Sequence, residues 1–483
     1  MIKLNVFEGI SLQITDHILS VFNTYVFLNL DEISFEDKPL KAQARLINAL
    51  NENPIKIHEK FEIFWKTESA QQLKISKGVY APVSKEDSFI MGILIEDQGF
   101  SSSGSDDPKS IESVKEASLP ISEVISKEIP SNTFSFINTR FYIHTSGVGT
   151  CRTQVSIEKP NSDTIDILEL EQISEKLNEL YRKYFANVCY DIIKKLHEAI
   201  RSRDIPHYVF EFIPKVLKLT ESEKMTYILP WTHRFYEIQD DRLMQMENPG
   251  MQFRTLLTPS KKMDIEDFSI YENRWIYFGW GHSIIFTPSD ITSSGYSQTN
   301  KSPCDYARLI EIAQNNWRAI EMIDSLLDYA ITYYNLHFKN MRLKDIREKI
   351  YEIRDFNKAV DRIMGNFRDV KISFDTENRI LLNELNNRWL TSEMLEKLKD
   401  RQEMLENLLS DLFQRQQEKK DDSLNSVVMI FTIISLFEVF AIFFDVLTQG
   451  MVINWIAQLF ILISGTLSLG MLIILYVRLA EKN

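Results

Sequence analysis

Two carboxylates, Glu438 and Asp445, stand seven residues apart in an apolar run near the end of the 483-residue chain. Seven residues make close to two helical turns, so both carboxylates lie on one face of a helix. An ionised carboxylate that faces hydrocarbon costs several kcal/mol, and we therefore expect this face to contact protein or water. In an oligomer with a shared axis each position becomes a ring, and acidic rings attract cations and repel anions. The residues predict a cation-conducting pore.

The same helical face carries the other residues that we predict to line this pore. A heptad with both carboxylates at position d gives a polar stripe on an otherwise apolar helix. Phe431 and Ile442 would be apolar constrictions that gate by dewetting. The predicted pore-lining residues are Asn425, Val428, Phe431, Ser435, Glu438, Ile442, Asp445 and Gln449. The alternative is that the carboxylates bond Asn454 or Gln458 of a second apolar run and that no ion passes.

Two apolar runs, residues 426–447 and 453–477, would hold these side chains. Each is long enough to cross a hydrocarbon core of about 30 Å as a helix. The uncharged connection 448–452 is so short that it can only join antiparallel neighbours. Basic residues flank the pair and are absent from the connection, which places both termini in the cytoplasm. We predict a multi-pass protein of a bacterial-type inner or plasma membrane, with the lipid bilayer as a partner.

The chain as a whole predicts three domains: a cytosolic α/β domain over residues 1–302, a stalk bundle of long helices over 303–424, and a two-helix transmembrane domain over 425–483. Residues 99–132 are rich in Ser, Asp, Glu and Lys and cannot bury enough surface to offset their ordering entropy, so we predict a disordered insertion there. Strands are predicted at 24–30, 89–95, 134–144, 150–158, 274–278 and 282–286, and helices at 39–51, 168–202, 304–334, 343–367 and 376–447.

Within the last of these helices, apolar residues recur at alternating spacings of four and three. The stripe consists of Met394, Leu398, Leu405, Leu408 and Leu412, interrupted once by Arg401. This spacing is typical of a coiled-coil seam. A long helix that is otherwise polar needs partners along its length, and we predict self-association into a homo-oligomer.

Composition excludes some classes of function. The chain has 55 Lys and Arg against 68 Asp and Glu, a net charge of -13, and we expect no nucleic acid as a partner. Cys151, Cys189 and Cys304 form no CxxC pair and are predicted to be reduced, buried thiols. No Ser-His-Asp order, HExxH helix, Walker loop or zinc cluster occurs, so nothing points to an enzyme and metal ligands are unknown.

Aromatic and guanidinium side chains of the α/β domain are candidates for a ligand site, since such groups can stack a base and clamp a phosphate. They concentrate near two predicted strands. The alternative at each position is an ordinary core residue, because half of the aromatic side chains of alternating strands face the core. The predicted ligand-binding residues are Arg140, Arg152, Trp231, His233, Arg234, Arg274, Trp275 and Trp280.

The order of domains resembles the CorA family of divalent-cation channels. Residues 424–428 followed by 431–434 look like the start of the family's pore helix. Gly450 and Met451 match the first two residues of the family's Gly-Met-Asn signature at the pore mouth, and Val452 stands where the family has the Asn that binds the hydrated ion.

This resemblance implies a CorA-like fold, a homopentamer around a central pore, and Mg²⁺ or another divalent cation as the conducted ion. The large α/β domain and the altered pore mouth look more like the CorA-like proteins that accompany type III CRISPR systems. That branch implies a channel gated by a cytosolic ligand, such as a nucleotide second messenger, in antiviral defence. The alternatives are a conventional magnesium transporter with a degenerate signature, or a membrane-tethered scaffold that conducts nothing.

Overall fold

In the computed structural model the chain is organised around one large mixed sheet. The structure describes residues 3–5, 13–28, 40–67, 89–96, 116–124, 134–157, 164–203, 207–209, 228–229, 231–239, 244–258, 264–270, 274–287, 303–337, 343–373 and 376–448, together with Trp455, Leu459, Ile463, Gly465 and Gly470.

Strands and helices alternate over the first part of the chain, and helices alone follow. The strands are β1 (Lys3–Asn5), β2 (Gln13–Leu28), β3 (Ile55–His58), β4 (Phe61–Thr67), β5 (Phe89–Glu96), β6 (Phe134–His144), β7 (Ser146–Ile157), β8 (Thr164–Asp166), β9 (His207–Val209), β10 (Trp231–Gln239), β11 (Trp275–Phe278) and β12 (His282–Thr287). The helices are α1 (Leu40–Asn51), α2 (Ile121–Val124), α3 (Ile167–Arg203), α4 (Arg254–Leu257), α5 (Pro303–His337), α6 (Leu343–Ser373), α7 (Thr376–Arg388) and α8 (Thr391–Thr448).

The large sheet has the strand order β11-β12-β10-β2-β7-β6-β5-β4-β3, and β9 pairs with the end of β2. The pair β10 and β12 is parallel, and the other pairs described in this sheet are antiparallel. β1 and β8 form a separate antiparallel pair. The sixteen residues of β2 run through the centre of the sheet, where they pair with β10 on one side and β7 on the other.

Alternation along β2 sends its side chains into two helical layers. Ile14, Ile18 and Phe22 face a core that they share with α1 and α3. Leu19 faces the opposite core, which contains residues of α5 and α7. Each large side chain that is buried in this way contributes about 1.5–3 kcal/mol to folding. The helices α5 and α7 are therefore packed on the sheet and not separate from it.

The long helical region is broken where the sequence predicts one helix. Leu390 has a φ of 52°, in the left-handed region, and separates the end of α7 from the start of α8. The sequence shows no turn signal between residues 376 and 447, yet the helix is not continuous over this range, because it breaks at Leu390. Leu398, Leu405 and Leu408 of the predicted coiled-coil stripe are buried within a single chain, because the first part of α8 packs against other helices of the same chain.

Two compact units make up the chain. One consists of Met1–Asn340 and Tyr351–Leu408, and the other of Met341–Ile350 and Leu409–Asn483. The large sheet, α5 and α7 belong to the first unit, and α6 and α8 are each divided between the two.

The predicted transmembrane domain is contradicted. Among the residues that the structure describes, no helix is both long and apolar enough to cross a membrane. A spanning helix needs about 20 consecutive apolar residues, whereas only the fifteen residues 423–437 separate Asp422 from Glu438 in α8. The same finding contradicts the predicted two-span, CorA-like fold class and the predicted multi-pass location in an inner or plasma membrane.

Part of the segment predicted to be a disordered insertion is folded. Within residues 99–132 the structure describes 116–124, where Leu119 is fully buried. The backbone of Leu119 exchanges hydrogen bonds of 2.8 and 2.9 Å with Ile137 of β6. The buried side chain of Leu119 and these backbone hydrogen bonds thus hold a polar stretch on the sheet. The remaining residues of the segment lie outside the described part of the chain.

Candidate ligand-binding site

A bulge in the central strand shapes the candidate site. From Asn23 to Phe27 β2 takes four steps, while β7 takes only two, from Val148 to Ser146. Tyr25 lies within this bulge and has a φ of 55°. Residues other than glycine rarely adopt this left-handed conformation, and a bulge of this kind redirects side chains next to a functional site.

A cavity of about 500 Å³ lies between this bulge and the middle of α5. Its volume falls in the range of small-molecule sites, about 300–1,000 Å³. The lining residues are Asn23, Tyr25, Arg318, Glu321, Met322, Ser325, Leu326 and Tyr329. Six of these eight come from one stretch of α5, so a single helix carries most of the site.

The apolar part of the cavity combines a buried floor with an exposed aromatic rim. Met322 and Leu326 are each only 2 % exposed, whereas Tyr329 is 49 % exposed. The Tyr329 ring stacks on that of Tyr333 one turn further along α5, with ring centroids 6.1 Å apart and an angle of 19° between the planes. Because aromatic rings favour offset stacking, this rim offers a face to a planar ligand group.

The polar part of the cavity is an ion pair on the same helix. Arg318 pairs through Nη1 with Glu321 one turn away, and its Nε donates a hydrogen bond of 3.1 Å to Oδ1 of Asn23. A guanidinium carries five N–H donors, so these two contacts leave others for a ligand. One wall thus presents a cation and an anion side by side.

A second polar group of α5, Glu311, lies closer to the N-terminus of the helix than the cavity does. Thr150 of β7 donates a hydrogen bond of 2.7 Å to Oε1 of Glu311, and Arg152 lies 3.9 Å from Oε2 of the same carboxylate. Glu311 is 1 % exposed, so this carboxylate is taken up by sheet and helix partners. Burial, and then the charge of Arg308, lowers the pKa of nearby His144 to about 3. This imidazole is therefore neutral at pH 7.

Three of the predicted ligand-binding residues meet in an aromatic cluster. Trp231 and Trp280 stack with centroids 6.3 Å apart, and Trp317 of α5 and Trp389, which follows α7, each lie 5.0 Å from Trp231. Nε2 of His233 lies 2.8 Å from Oγ of Ser283. Trp280 is 51 % exposed, whereas Trp389 is fully buried. The cluster thus connects the sheet with α5 and with the residue that follows α7, and the role of its members in binding stays a prediction.

The other predicted ligand-binding residues are dispersed, and most are taken up by protein partners. Arg140 binds both oxygens of Glu116, Arg152 faces Glu311, Arg234 pairs with Asp16 on the opposite side of the sheet, Arg274 bonds Tyr306, and Trp275 packs against the core on the α3 side. The structure does not bring the eight residues together in one site, and a role for each in binding stays a prediction.

The predicted pore residues belong to the end of α8 and beyond. Asn425, Val428, Phe431, Ser435 and Glu438 are exposed there. Ile442 and Asp445 lie in α8, with side chains outside the described part, and Gln449, Gly450, Met451 and Val452 lie outside the described residues altogether. Along residues 424–437 the exposed apolar side chains are Leu424, Val427, Val428, Ile430, Phe431, Ile434, Leu436 and Phe437. Neither a pore nor self-association is tested by these positions.

The side chains of two of the three cysteines are described, and the prediction of buried, reduced thiols is confirmed for both. Cys151 and Cys189 are free and buried. The hydroxyl of Tyr181 lies 3.0 Å from Sγ of Cys151. In the part of the chain that the structure covers, no group of three or more His, Cys, Asp or Glu side chains could hold a metal ion.

The cavity residues were missed because their signals are weak in sequence. Tyr329 and Tyr333 form an aromatic pair at i, i+4 on a helix, and Arg318 and Glu321 form a charged pair at i, i+3. Either pair is common on solvated helices. What combines them into a site is the bulge that brings Tyr25 to α5, and strand alternation does not reveal this bulge.

Comparison with known proteins adds no family to these observations: no protein-family model, no curated protein and no solved structure matches the chain. The resemblance to the CorA family, with the roles in cation conduction and CRISPR defence that it implies, is untested and stays a prediction.

Proposed function

We propose that the protein is a small-molecule sensor that binds a nucleotide-type ligand in the cavity between β2 and α5. The observation that carries this proposal is the composition of that cavity: an aromatic rim, an apolar floor and a guanidinium line one open cavity. A planar base suits the Tyr329 ring and the floor, and a phosphate suits Arg318, whose donors match its oxygens.

The size and charge of the cavity limit the ligand. A volume of about 500 Å³ suits one or two nucleoside units and is too small for a folded peptide. Glu321 balances the charge of Arg318, which disfavours a highly charged polyphosphate and favours a ligand with one or two negative charges.

A response to the ligand has a structural route through α5. On this helix Glu321 and Ser325 line the cavity, while Asp324 between them binds Lys397 and Arg401 of α8, at 2.9 and 3.1 Å. A ligand that shifts α5 would therefore change the same contacts that hold the first part of α8. Because a ligand shifts an equilibrium only by its differential affinity, the arrangement of α8 that binds the ligand better would gain population.

The direct test is calorimetric titration of the full chain with adenosine 5′-monophosphate and with the dinucleotide ApA. We expect saturable binding of at least one of them, with a stoichiometry of one per chain. Arg318→Ala should weaken binding about tenfold or more, since a charge-assisted contact to phosphate is lost.

The matched control is Arg354→Ala, which removes the same charge from an exposed position of α6 outside the cavity. It should bind like the wild type. Absence of saturable binding for both probes, or equal loss in both arginine variants, would contradict the proposal.

A further inference from the structure

The groups on the α5 wall follow one another in the order of the parts of a nucleotide. Tyr329 offers an aromatic face at one end, Arg318 a guanidinium at the other, and Glu321 a carboxylate between them. Arg318 and Tyr329 are eleven positions apart, about 16 Å along the helix axis.

The carboxylate in the middle of this row is accessible from the cavity. Its Oε2 pairs with Arg318, and the Glu321 side chain is still 39 % exposed. An ionised carboxylate only accepts hydrogen bonds, so its partner on a ligand must be a donor. The sugar hydroxyls of a ribonucleotide are donors, and an acidic side chain binds the ribose 2′-hydroxyl in dinucleotide sites in the same way.

We propose that Glu321 recognises the ribose of the ligand through its 2′-hydroxyl, so that the cavity distinguishes ribonucleotides from deoxyribonucleotides. The inference rests on the proposed function, because it assigns the middle of the same site. The ion pair with Arg318 orients the carboxylate, and Arg318 is left to hold the phosphate next to the sugar.

The test compares adenosine 5′-monophosphate with its 2′-deoxy analogue by calorimetric titration of the full chain. The wild type should bind the ribonucleotide about tenfold more tightly, since hydrogen bonds to charged groups are among the stronger ones. Glu321→Gln should reduce this ratio severalfold. It should leave binding of the deoxy analogue unchanged or stronger, because it removes the negative charge beside Arg318. The ratio is the readout, and a general loss of folded protein would not change it.

Asp328→Asn is the matched control. It removes a carboxylate from the same helix at a position that is 65 % exposed and that faces Arg401 of α8, so the wild-type ratio should persist. Equal affinity of the wild type for both nucleotides, or an unchanged ratio in Glu321→Gln, would overturn the role of Glu321 and leave the proposed function standing. Absence of saturable binding for adenosine 5′-monophosphate, its 2′-deoxy analogue and ApA alike would overturn the proposed function as well.

Discussion

Arg401 of α8 binds Asp324 of α5 at two places, through its Nε to the carboxylate at 3.1 Å and through its Nη1 to the main-chain carbonyl at 2.8 Å. It also lies 3.4 Å from the carboxylate of Asp328 one turn further along α5. The arginine thus fixes α8 against the helix that carries the cavity. This contact also explains why a charged residue interrupts an otherwise apolar stripe.

Removal of this contact should destabilise the packing of α8. We expect Arg401→Ala to lower the free energy of unfolding by about 1–2 kcal/mol, the lower part of the range for charged hydrogen bonds, because the pair is partly exposed. Urea unfolding monitored by circular dichroism measures the change. Lys399→Ala, at an exposed position of the same helix, is the control and should cost less than about 0.5 kcal/mol. Equal losses in the two variants would contradict the assigned role.

The break between α7 and α8 predicts a stabilising substitution. Leu390 is 54 % exposed and has a φ of 52°, a conformation that costs a residue with a Cβ about 1–2 kcal/mol. Leu390→Gly should therefore raise the free energy of unfolding by about 1 kcal/mol. Leu390→Ala keeps the Cβ and should give no such gain. The same urea unfolding experiment compares the three proteins, and a gain with alanine would show that the strain is not the cause.

Replacing one partner of the buried ion pair of Asp16 and Arg234 should destabilise the protein more than replacing both partners with apolar residues. Both side chains are at most 3 % exposed, and Nη1 of Arg234 also donates to the main-chain carbonyl of Ser174 in α3. Arg234→Met would leave a buried carboxylate unpaired and should lower the free energy of unfolding by about 3–5 kcal/mol. The double variant Asp16→Leu, Arg234→Met should lose less. A double variant less stable than the single one, in the same denaturant titration, would contradict this account.

Stability should fall as the pH is lowered from 7 to 5. Burial lowers the pKa of His144 and His233 to about 3 and that of His282 to about 4. Between these values and the unfolded value near 6.5 the unfolded chain binds more protons, so stability is lost as the pH falls through 6.5. Thermal unfolding at pH 8, 7, 6 and 5 measures this. These histidines should leave the unfolding temperature unchanged between pH 8 and pH 7. An unfolding temperature that stays constant down to pH 5 would contradict the lowered pKa of the three histidines.

Local pattern predicted many of the elements well. The strand predicted at residues 134–144 is β6, the helix predicted at 168–202 is α3, and the hairpin predicted after Arg274 is β11 and β12. In each case the spacing of apolar residues within the segment indicates a helix or a strand, and this spacing depends on the local sequence alone. The parallel pairing of β10 with β12 has no such local signature, since strand order depends on contacts between distant segments.

The role of the long helix was harder to predict for a related reason. An apolar stripe at four and three spacing shows that a helix packs, and it does not show on what. Leu398 and Leu405 are buried by the chain's own helices, so the stripe gives no information on self-association. Likewise Glu438 and Asp445 share a helical face, but their spacing does not show whether this face contacts protein, lipid or water. The candidate cavity was not predicted at all, because it depends on Tyr25 at a bulge that strand periodicity cannot show.

The mismatch between β2 and β7 adds two residues to β2, an even number. Side chains beyond it, such as Val26 and Leu28, consequently point into the same core as Ile14 and Ile18 before it. Insertion or deletion of a single residue there would move each following side chain of β2 to the opposite face of the sheet, so that its apolar residues would leave the core. Insertion or deletion of two residues would keep each side chain on its present face. Length variation at this point of the chain should therefore be tolerated only in steps of two.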